Sequence, residues 1–423
     1  MQSITPITAN RKSSLVRRLW RPAVGVAAVA ALAVAGLAQP WQHDSNTMQS
    51  AAKNAAVSST GSAQKSSTST KTNTTATVNT TVSLKAPGKT PQLAMPRAGA
   101  AIMAVDGIGA MDSKNANTVL STASVAKAMT AYQVLKDHPL KAGWYGPKIT
   151  VTKAEAALFN KQARQGQSLV PVRAGEKITE RDALEALLLA SANNMAQILA
   201  RWDGGTVPHF VAKMNASAKA LGMNHTHYTD PSGFTATTKS TVADQIKLAS
   251  GALKVSQYYA ITSLRSAWIP VKGHIINFNK LLSNPAVIGL KTGSMNAAGG
   301  CLLFTAKYKV NGKPVTLVSA VFNQRGPNGI LHAVFDSSFK LLNSAHKSLH
   351  AYNMVKKGQV VGTVPGTKNQ LVAAKDVTVA GFSGMTVKGH LSAKVAKAAK
   401  NGAKVGSLKV GSTSVPVTVK LAA

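Results

Sequence analysis

The sequence contains a single cysteine, Cys301, and only 14 acidic residues against 49 lysines and arginines. One cysteine excludes an intramolecular disulfide and a cysteine-rich metal site. Because Cys301 lies in an apolar, strand-like run, we expect a small buried residue. The scarcity of acids leaves a formal net charge of +35, which favours attraction to a polyanion such as nucleic acid, anionic lipid or an anionic cell-wall polymer.

The usual signals of a nucleic-acid-binding protein are also missing. The chain has no Gly-aromatic RNA-binding signature, no zinc-finger spacing and no single concentrated basic helix. We therefore expect no nucleic-acid partner. The positive charge favours instead an anionic cell-wall polymer, or a general adaptation of an exported surface to its medium.

Long hydrophobic runs are missing apart from one near the N-terminus. Residues 1–21 carry five basic residues and no acid, and the seventeen residues 22–38 carry no charge. A basic flank followed by an apolar stretch is typical of an export signal with its N-terminus in the cytoplasm. We expect residues 22–38 to anchor an extracytoplasmic protein in the cell membrane, or to be cleaved and release a secreted one.

Residues 39–92 are rich in serine and threonine and poor in apolar side chains. This composition predicts a disordered linker. A flexible tether of ~50 residues has a typical end-to-end distance of about 35–40 Å. Such a tether would lift a folded domain off a membrane into a wall layer, which favours the anchor over the cleaved signal.

Residues 93–350 are predicted to form an α+β domain. A short apolar strand pattern at residues 100–105 comes first. Helical patterns come next and include a capped helix that begins after Thr179. Strand patterns follow at residues 286–294, 297–306 and 315–322, and a helical pattern at 331–349 ends the domain. Helices followed by an antiparallel sheet are typical of this class.

Residues 351–423 are predicted to form a small basic all-β domain. Short valine-rich strand patterns alternate with Gly, Lys and Thr, and residues 352–423 contain eleven lysines and one acid, Asp376. A Gly-x-x-Val-Gly pattern occurs at residues 358–362 and again at 402–406. The echo predicts two similar strand–turn–strand units in a binding or positioning module.

Ser124 and Lys127 form a Ser-x-x-Lys motif in a run that predicts a helix. Residues three apart lie on one face of a helix, within reach of each other. Unpaired N–H groups in the first turn would favour negative charge developing at Ser124. A serine becomes an effective nucleophile when a base takes its proton. Lys127 can be that base if burial or another cation lowers its pKa by roughly three units.

Two further motifs follow: Ser191-x-Asn193 at a junction between helices, and Lys291-Thr292-Gly293 at a strand end. Lys291 would depress the pKa of Lys127 by like-charge repulsion and would attract a substrate carboxylate. The N–H of Ser124 and one from the strand after Lys291 would form an oxyanion hole. The other predicted roles are proton relay by Ser191, orientation of Lys127 and the substrate amide by Asn193, hydroxyl donation to the carboxylate by Thr292 and Ser294, and close approach of substrate backbone at Gly293.

The three motifs in this order resemble those of the low-molecular-mass penicillin-binding D-alanyl-D-alanine carboxypeptidases, active-site-serine relatives of the serine β-lactamases. Over about residues 95–350, the further matching stretches are Val105-Asp-Gly, Ser191-Ala-Asn-Asn-Met-Ala196, Leu221-Gly-Met-Asn-His-Thr-His-Tyr-Thr-Asp-Pro-Ser-Gly233 and Gly289-Leu-Lys-Thr-Gly-Ser-Met-Asn-Ala-Ala-Gly299. The resemblance implies a β-lactamase/transpeptidase-like domain, in which helices flank an antiparallel sheet beside a helical subdomain, followed by the small β domain. It also implies a serine-type carboxypeptidase that removes the terminal D-alanine of peptidoglycan stem peptides through an acyl-enzyme. Penicillins and other β-lactams would acylate the same Ser124.

Two departures from the family pattern bear on this reading. Asn194 stands where some relatives carry Asp, and because it lies outside the triplet we expect little effect. No glutamate is placed to activate a deacylating water, which argues against fast penicillin hydrolysis. The alternatives are an endopeptidase or β-lactamase on the same scaffold, or a non-catalytic cell-wall-binding protein.

The sequence predicts no cofactor and no metal site. His225 and His227 lie in a loop pattern without obvious partner ligands. His346 and His350 are spaced as in a zinc-binding helix but lack the glutamate of His-Glu-x-x-His. We expect the first pair to be structural and the second to be solvated residues at a helix end.

Overall fold

The computed structural model describes residues 75–422. The predicted basic terminus (1–21), the predicted anchor (22–38) and the first part of the predicted linker (39–74) lie outside the described residues. Among residues 75–422, no helix is both long enough and apolar enough to span a bilayer.

The described part of the chain combines helices and strands throughout. Its helices are α1 (Lys127–Asp137), α2 (Lys153–Arg164), α3 (Glu180–Leu188), α4 (Asn193–Gly204), α5 (Val207–Ala220), α6 (Val242–Ala252), α7 (Ser256–Thr262) and α8 (Ile330–Lys347). The first strands are β1 (Thr75–Lys85), β2 (Ala100–Val105), β3 (Gly109–Lys114), β4 (Leu120–Ser121), β5 (Lys148–Thr150), β6 (Lys177–Thr179), β7 (Lys239–Ser240), β8 (Ser266–Ile269), β9 (Gly273–Ile276), β10 (Val287–Met295), β11 (Gly299–Val310) and β12 (Lys313–Gln324). The C-terminal strands are β13 (His350–Val355), β14 (Val360–Thr363), β15 (Gln370–Ala373), β16 (Val377–Gly381), β17 (Thr386–Ala396), β18 (Lys404–Val410) and β19 (Thr413–Lys420).

A five-stranded antiparallel sheet, in the order β10-β11-β12-β2-β3, forms the centre of the first domain. Side chains alternate across β12, so that Val318 and Ala320 join one hydrophobic core while Leu317 and Val321 join the other. Helix α6 packs on the first face and α8 on the second. This arrangement confirms the predicted α+β class, and it places β10 at the edge of the sheet.

Helix α1 lies at the centre of the helical subdomain. It packs against α3, α4, α5 and α7, and eight of its eleven residues are buried. Two of those eight are Ala128 and Ala131, whose small side chains let neighbouring helices approach closely. The capped helix predicted after Thr179 is α3, where the Thr179 hydroxyl accepts a hydrogen bond from the Asp182 N–H. Helices α2 and α7 were not predicted.

The end of the predicted linker is wrong, because residues 75–85 form β1. This strand pairs antiparallel with β17 over its full length, from Thr75 opposite Ala396 to Lys85 opposite Thr386. Its alternate side chains carry the information that composition missed: Val78 is buried and Val82 packs against the core, while threonines occupy much of the other face. Threonine and valine both favour extended backbone, so a Ser/Thr-rich segment can still supply a strand.

The C-terminal domain is a six-stranded antiparallel sheet, β1-β17-β18-β19-β15-β14, with the pair β13-β16 beside it. The predicted internal repeat is visible in its backbone hydrogen bonds. Gly358 N–H donates to Ala373 O at 2.8 Å, and Gly402 N–H donates to Val419 O at the same distance. Since the domain shares one hydrophobic cluster with α8 and the adjacent face of the central sheet, its position is fixed by packing.

Candidate active site

Ser124 lies in a single 3₁₀ turn (Ala123–Ala126) that leads directly into α1, where Lys127 is the first residue. The Lys127 Nζ lies 2.8 Å from the Ser124 Oγ. The predicted spacing therefore produces direct contact between the two side chains. Ser124 is half-buried and Lys127 is fully buried, so the hydroxyl can meet a substrate while the amine is kept from water.

The pKa of Lys127 lies well below its ordinary value. Burial is the largest cause, because a charged ammonium loses its hydration there, and the nearby cation of Lys291 adds like-charge repulsion. The carboxylate of Asp230 opposes both effects and raises the pKa. The balance favours an uncharged amine, which is the form that can take the proton of Ser124.

A second contact holds Lys127 in place. Its Nζ lies 2.8 Å from the backbone carbonyl of Ser232, in a tight turn over residues 230–234. The Asp230 carboxylate organises that turn by accepting hydrogen bonds from the N–H groups of Ser232, Gly233 and Phe234. Burial alone would raise the pKa of Asp230, but hydrogen bonds from Ser232 and Thr235 outweigh it and hold the pKa below its usual value.

Two glycines let other segments approach the Ser124 turn. Gly233 has φ +71°, and a Cβ there would lie 1.8 Å from the carbonyl oxygen of Ala123. A Cβ on Gly293 would lie 3.0 Å from the Thr122 oxygen and 3.1 Å from the Ser124 nitrogen. Gly293 was predicted to let substrate backbone approach the strand. In the structure, the Cβ position of Gly293 faces the turn that carries Ser124.

Lys291 lies on the edge strand β10 and is almost fully buried. Burial lowers its pKa to about 7. Its Nζ donates to the Thr292 carbonyl at 2.9 Å and lies 3.4 Å from the Thr292 hydroxyl. Thr292 is buried and Ser294 is exposed, so the end of β10 brings together a buried amine, a buried hydroxyl and an exposed hydroxyl.

Ser191 lies at the junction of α3 and α4, as predicted, with a left-handed backbone (φ +59°) that is uncommon for a residue other than glycine. Both helices pack against α1, which Lys127 begins. Asn193 begins α4, and its Nδ2 donates to Gln167 Oε1 at 2.8 Å. Its Oδ1 is buried and has no hydrogen-bond partner among the described residues. The structure thus joins Asn193 to Gln167, and not to Lys127, by a hydrogen bond.

The departure at Asn194 has a structural explanation. Its side-chain amide donates to the Val170 carbonyl at 2.7 Å and accepts from the Val170 N–H at 3.3 Å. An amide offers a donor and an acceptor together, whereas an ionised aspartate only accepts. Asn194 therefore fastens the loop before α3 to the start of α4, outside the reacting groups.

Sequence reasoning missed the parts of the site that act through backbone or through loops. The Ser232 carbonyl reaches Lys127 from 105 positions away, and only the Asp-Pro-Ser-Gly turn pattern at residues 230–233 could have pointed to it. No sequence signal identified Gln167, which lies in a polar loop. Cys301, by contrast, is fully buried as expected, and burial raises the pKa of its thiol to about 12.

The histidine pairs have ordinary surroundings. The His346 ring stacks on Tyr308 with the ring centres 4.0 Å apart. The His227 backbone pairs with Lys239, and the His225 N–H donates to the Asp244 carboxylate. Within residues 75–422, no group of three or more His, Cys, Asp or Glu side chains could hold a metal ion.

The chain is similar to several characterised proteins. A family model described as "D-alanyl-D-alanine carboxypeptidase" matches residues 88–326. The D-alanyl-D-alanine carboxypeptidase DacF of Bacillus subtilis is 27% identical over 310 residues, covering 71% of this chain and 75% of the relative. A D-alanyl-D-alanine endopeptidase of Pseudomonas aeruginosa is 32% identical over 214 residues, covering 49% of this chain and 65% of the relative.

The fold is similar to solved structures as well. The crystal structure of the Streptomyces K15 DD-transpeptidase superposes with a TM-score of 0.52 and 28% identity, covering 61% of this chain and 98% of that one. The Mycobacterium tuberculosis protein Rv2911 gives a TM-score of 0.52 and 26% identity, covering 62% of this chain and 94% of that one.

Proposed function

The chain belongs to the D-alanyl-D-alanine carboxypeptidase family, and from that premise we propose how its own residues carry out the reaction. The protein is a serine-type carboxypeptidase that removes the terminal D-alanine from peptidoglycan stem peptides and binds β-lactams. The observation that carries this assignment to particular atoms is the 2.8 Å contact between Ser124 Oγ and the Lys127 Nζ. A buried amine with a depressed pKa, held against a half-buried hydroxyl, is an activated nucleophile.

In the first step, Ser124 Oγ attacks the carbonyl carbon of the D-Ala-D-Ala peptide bond while its proton passes to the uncharged Lys127. The N–H of Ser124 and an N–H at the end of β10 stabilise the oxyanion. When the C–N bond breaks, the leaving amine of D-alanine takes up a proton from Lys127 through the Ser191 hydroxyl. The product is an ester between Ser124 and the shortened peptide.

In the second step, water attacks the ester carbonyl and Lys127 accepts its proton. Ser124 recovers its proton as the carboxylate of the shortened peptide forms. A lysine base serves both steps, so no separate glutamate is needed for the slow hydrolysis of a peptide ester. The lack of a separate glutamate base would also make release of a penicilloyl group from Ser124 slow.

The substrate carboxylate is proposed to meet the end of β10. Lys291 supplies positive charge, and the hydroxyls of Thr292 and Ser294 supply donors. Charge-assisted hydrogen bonds of this type are the strong ones in recognition of carboxylates. Because β10 is an edge strand, the stem peptide can extend the sheet by backbone pairing along it, with Asn193 reaching the peptide amide from the other side.

The test uses a fluorescent penicillin and a stem pentapeptide on the full chain. Wild type should become covalently labelled and should release one D-alanine per peptide. Ser124→Ala should do neither. Ser263→Ala should behave as wild type, because among the described residues the Ser263 hydroxyl bonds only to Ala260 O. An unlabelled but folded wild type would refute the assignment.

A second candidate is endopeptidase activity, which the similarity to the Pseudomonas aeruginosa endopeptidase favours. The same acyl-enzyme would form, but the leaving amine would belong to a neighbouring stem peptide. Parallel incubation with a pentapeptide and a cross-linked peptide dimer separates the two activities. Faster cleavage of the dimer would replace the carboxypeptidase assignment with the endopeptidase one.

We also propose that residues 22–38 fix the protein to the cell membrane with the enzyme outside, and that its charge draws it to anionic wall polymer. The basic flank and the uncharged run of residues 22–38 support the first part, and the net charge of +35 supports the second. Membrane fractionation of cells that express the full chain, or a chain starting at residue 39, tests the anchor. Recovery of both forms from the soluble fraction would exclude it.

A further inference from the structure

A cleft of about 1190 Å³ lies where the C-terminal sheet meets the central sheet, away from Ser124. One wall is the outward face of β17 and β18, and the other is formed by the β2–β3 turn (residues 105–108) and the start of β12 (residues 312–316). The cleft exceeds the usual range of about 300–1,000 Å³ for small-molecule pockets. Its size therefore suits a segment of polymer better than a small metabolite.

Cationic side chains line this cleft from both sides. Lys388 and Lys409 are exposed on the sheet wall, and Lys313 is half-buried on the opposite wall. His390 and Lys409 are direct cross-strand partners, and Lys388 lies two residues from His390 on the same face of β17. Cross-strand partners have Cβ atoms about 5 Å apart and diagonal neighbours about 7–8 Å apart. One flexible anion chain could thus contact all of them.

No ion pair among the described residues compensates these lysines. Asp106 is the one acidic residue among those that line the cleft, and its Oδ1 already accepts a hydrogen bond from the Ser250 hydroxyl at 2.6 Å. Within residues 75–422, none of the ion pairs includes Lys313, Lys388 or Lys409. Lys388 and Lys409 are diagonal neighbours across β17 and β18, so an anion bound between them would offset their mutual repulsion.

Neutral donors are present at the same place. Ser83 lies opposite Lys388 in the β1–β17 register, and the Thr81 hydroxyl lies 3.3 Å from the His390 Nδ1. Ser412, in the turn before β19, and Thr413, the first residue of β19, add hydroxyls. Hydroxyls beside ammonium groups are the groups that hold phosphate or carboxylate oxygens through charge-assisted hydrogen bonds.

We propose that this cleft binds a segment of a flexible wall-type polyanion whose units each carry one phosphodiester or one carboxylate. Lys313, Lys388 and Lys409 would pair with successive anionic groups, and the hydroxyls of Ser83 and Thr413 would complete their hydrogen bonding. The inference deepens the proposed attraction to wall polymer by giving it a place, and it does not depend on the chemistry of Ser124. Bound polymer would hold the enzyme beside its substrate without covering Ser124, which is not among the residues that line this cleft.

The experiment measures anisotropy of two labelled probes, poly(glycerol phosphate) and polygalacturonate, with the full chain at low and at raised salt. The double variant Lys388→Gln/Lys409→Gln should weaken binding of the preferred probe about tenfold. The control Lys394→Gln/Lys404→Gln removes the same charge from exposed positions on the same two strands, outside the cleft, and should change it less than about twofold. Preference between the probes identifies phosphodiester or carboxylate as the source of charge.

Equal weakening by the two double variants would overturn the proposal, because the attraction would then come from the overall charge. Absence of binding to either probe would overturn it as well, as would tighter binding of duplex DNA through the same lysines. Pentapeptide cleavage is measured in parallel and should be unchanged in both double variants. A wild type that binds polymer but does not cleave pentapeptide would count against the proposed function alone, and a wild type that cleaves pentapeptide but binds neither probe would count against the cleft alone.

Discussion

Substitution of Gly233 by alanine should damage the site without touching any reacting group. The new Cβ would lie 1.8 Å from the Ala123 oxygen, and contacts shorter than 3.0 Å are essentially never seen for a Cβ. Either the 230–234 turn or the Ser124 turn must therefore move. Movement of the first takes the Ser232 carbonyl away from Lys127, and movement of the second displaces Ser124 itself.

The magnitude follows from comparison with Gly222, which has almost the same backbone conformation (φ +72°) but no atom within 4 Å of its Cβ position. Gly222→Ala should cost only the left-handed strain of about 1–2 kcal/mol. Gly233→Ala should add about 1–3 kcal/mol of overpacking. A displacement near 1 Å in a catalytic group can lower a rate about 100-fold.

The assay combines thermal unfolding with the rate of acylation by a fluorescent penicillin. Gly222→Ala should lower the melting temperature by ~2–8 °C and leave the acylation rate unchanged. Gly233→Ala should lower the melting temperature further and reduce the acylation rate about 100-fold. If both variants acylate at the wild-type rate, the close packing between the two turns does not position Ser124 or Lys127, and the reasoning fails.

Three further predictions concern the buried charges and the N-terminal strand. Lys291→Gln removes the cation that depresses the pKa of Lys127, so the acidic limb of the acylation rate against pH should move to higher pH. Glu180 is fully buried with both oxygens unpartnered among the described residues, and burial, with the Asp203 charge, raises its pKa to about 8. Because the folded protein favours the protonated carboxyl, the free energy of unfolding of wild type should fall as pH rises from about 4.5 to 8. Glu180→Gln should not show this fall, and its free energy of unfolding at pH 8 should exceed that of wild type by ~2–4 kcal/mol. Val78→Asp places a charge in the β1–β17 core and should cost several kcal/mol, whereas Asn79→Asp on the outward face should stay within ~0.5 kcal/mol in urea unfolding.

Each of these variants has an outcome that contradicts it. An unshifted acidic limb in Lys291→Gln would show that the two lysines do not interact. A stability difference for Glu180→Gln that is the same at pH 4 and pH 8 would show that the carboxyl does not titrate in this range. Equal effects of the two β1 substitutions would mean that the strand does not pack as described.

The sequence could predict those parts of the site whose chemistry depends on local spacing. Ser124 and Lys127 meet because a helical turn brings residues three apart together. Lys291 was identified because a strand end carries it next to a threonine and a glycine. The same spacing could not show that the Ser232 carbonyl holds Lys127, since that contact joins residues 105 positions apart.

The fold divides in the same way. Strands β10, β11 and β12 were predicted because their apolar runs are long, and the repeat of the C-terminal domain was predicted from two glycines in each copy. The strand β1 was missed because its inward positions alternate with threonine, so that average composition concealed a period of two. The link between Asn193 and Gln167 was missed because a loop contact leaves no periodic signal.

The pairing of β1 with β17 has a consequence for how the chain folds. Thr81 and His390 are in contact although they lie 309 positions apart in the chain. Strand β1, the first described strand, therefore cannot form its hydrogen bonds until β17 has been made and folded. Contacts between residues so far apart in sequence slow folding and leave an unpaired, aggregation-prone strand edge exposed until the partner strand is in place. Proteolytic removal of the C-terminal strands from β17 onward would therefore also remove the pairing partner of β1. A single cleavage would then disrupt the structure at both ends of the described chain.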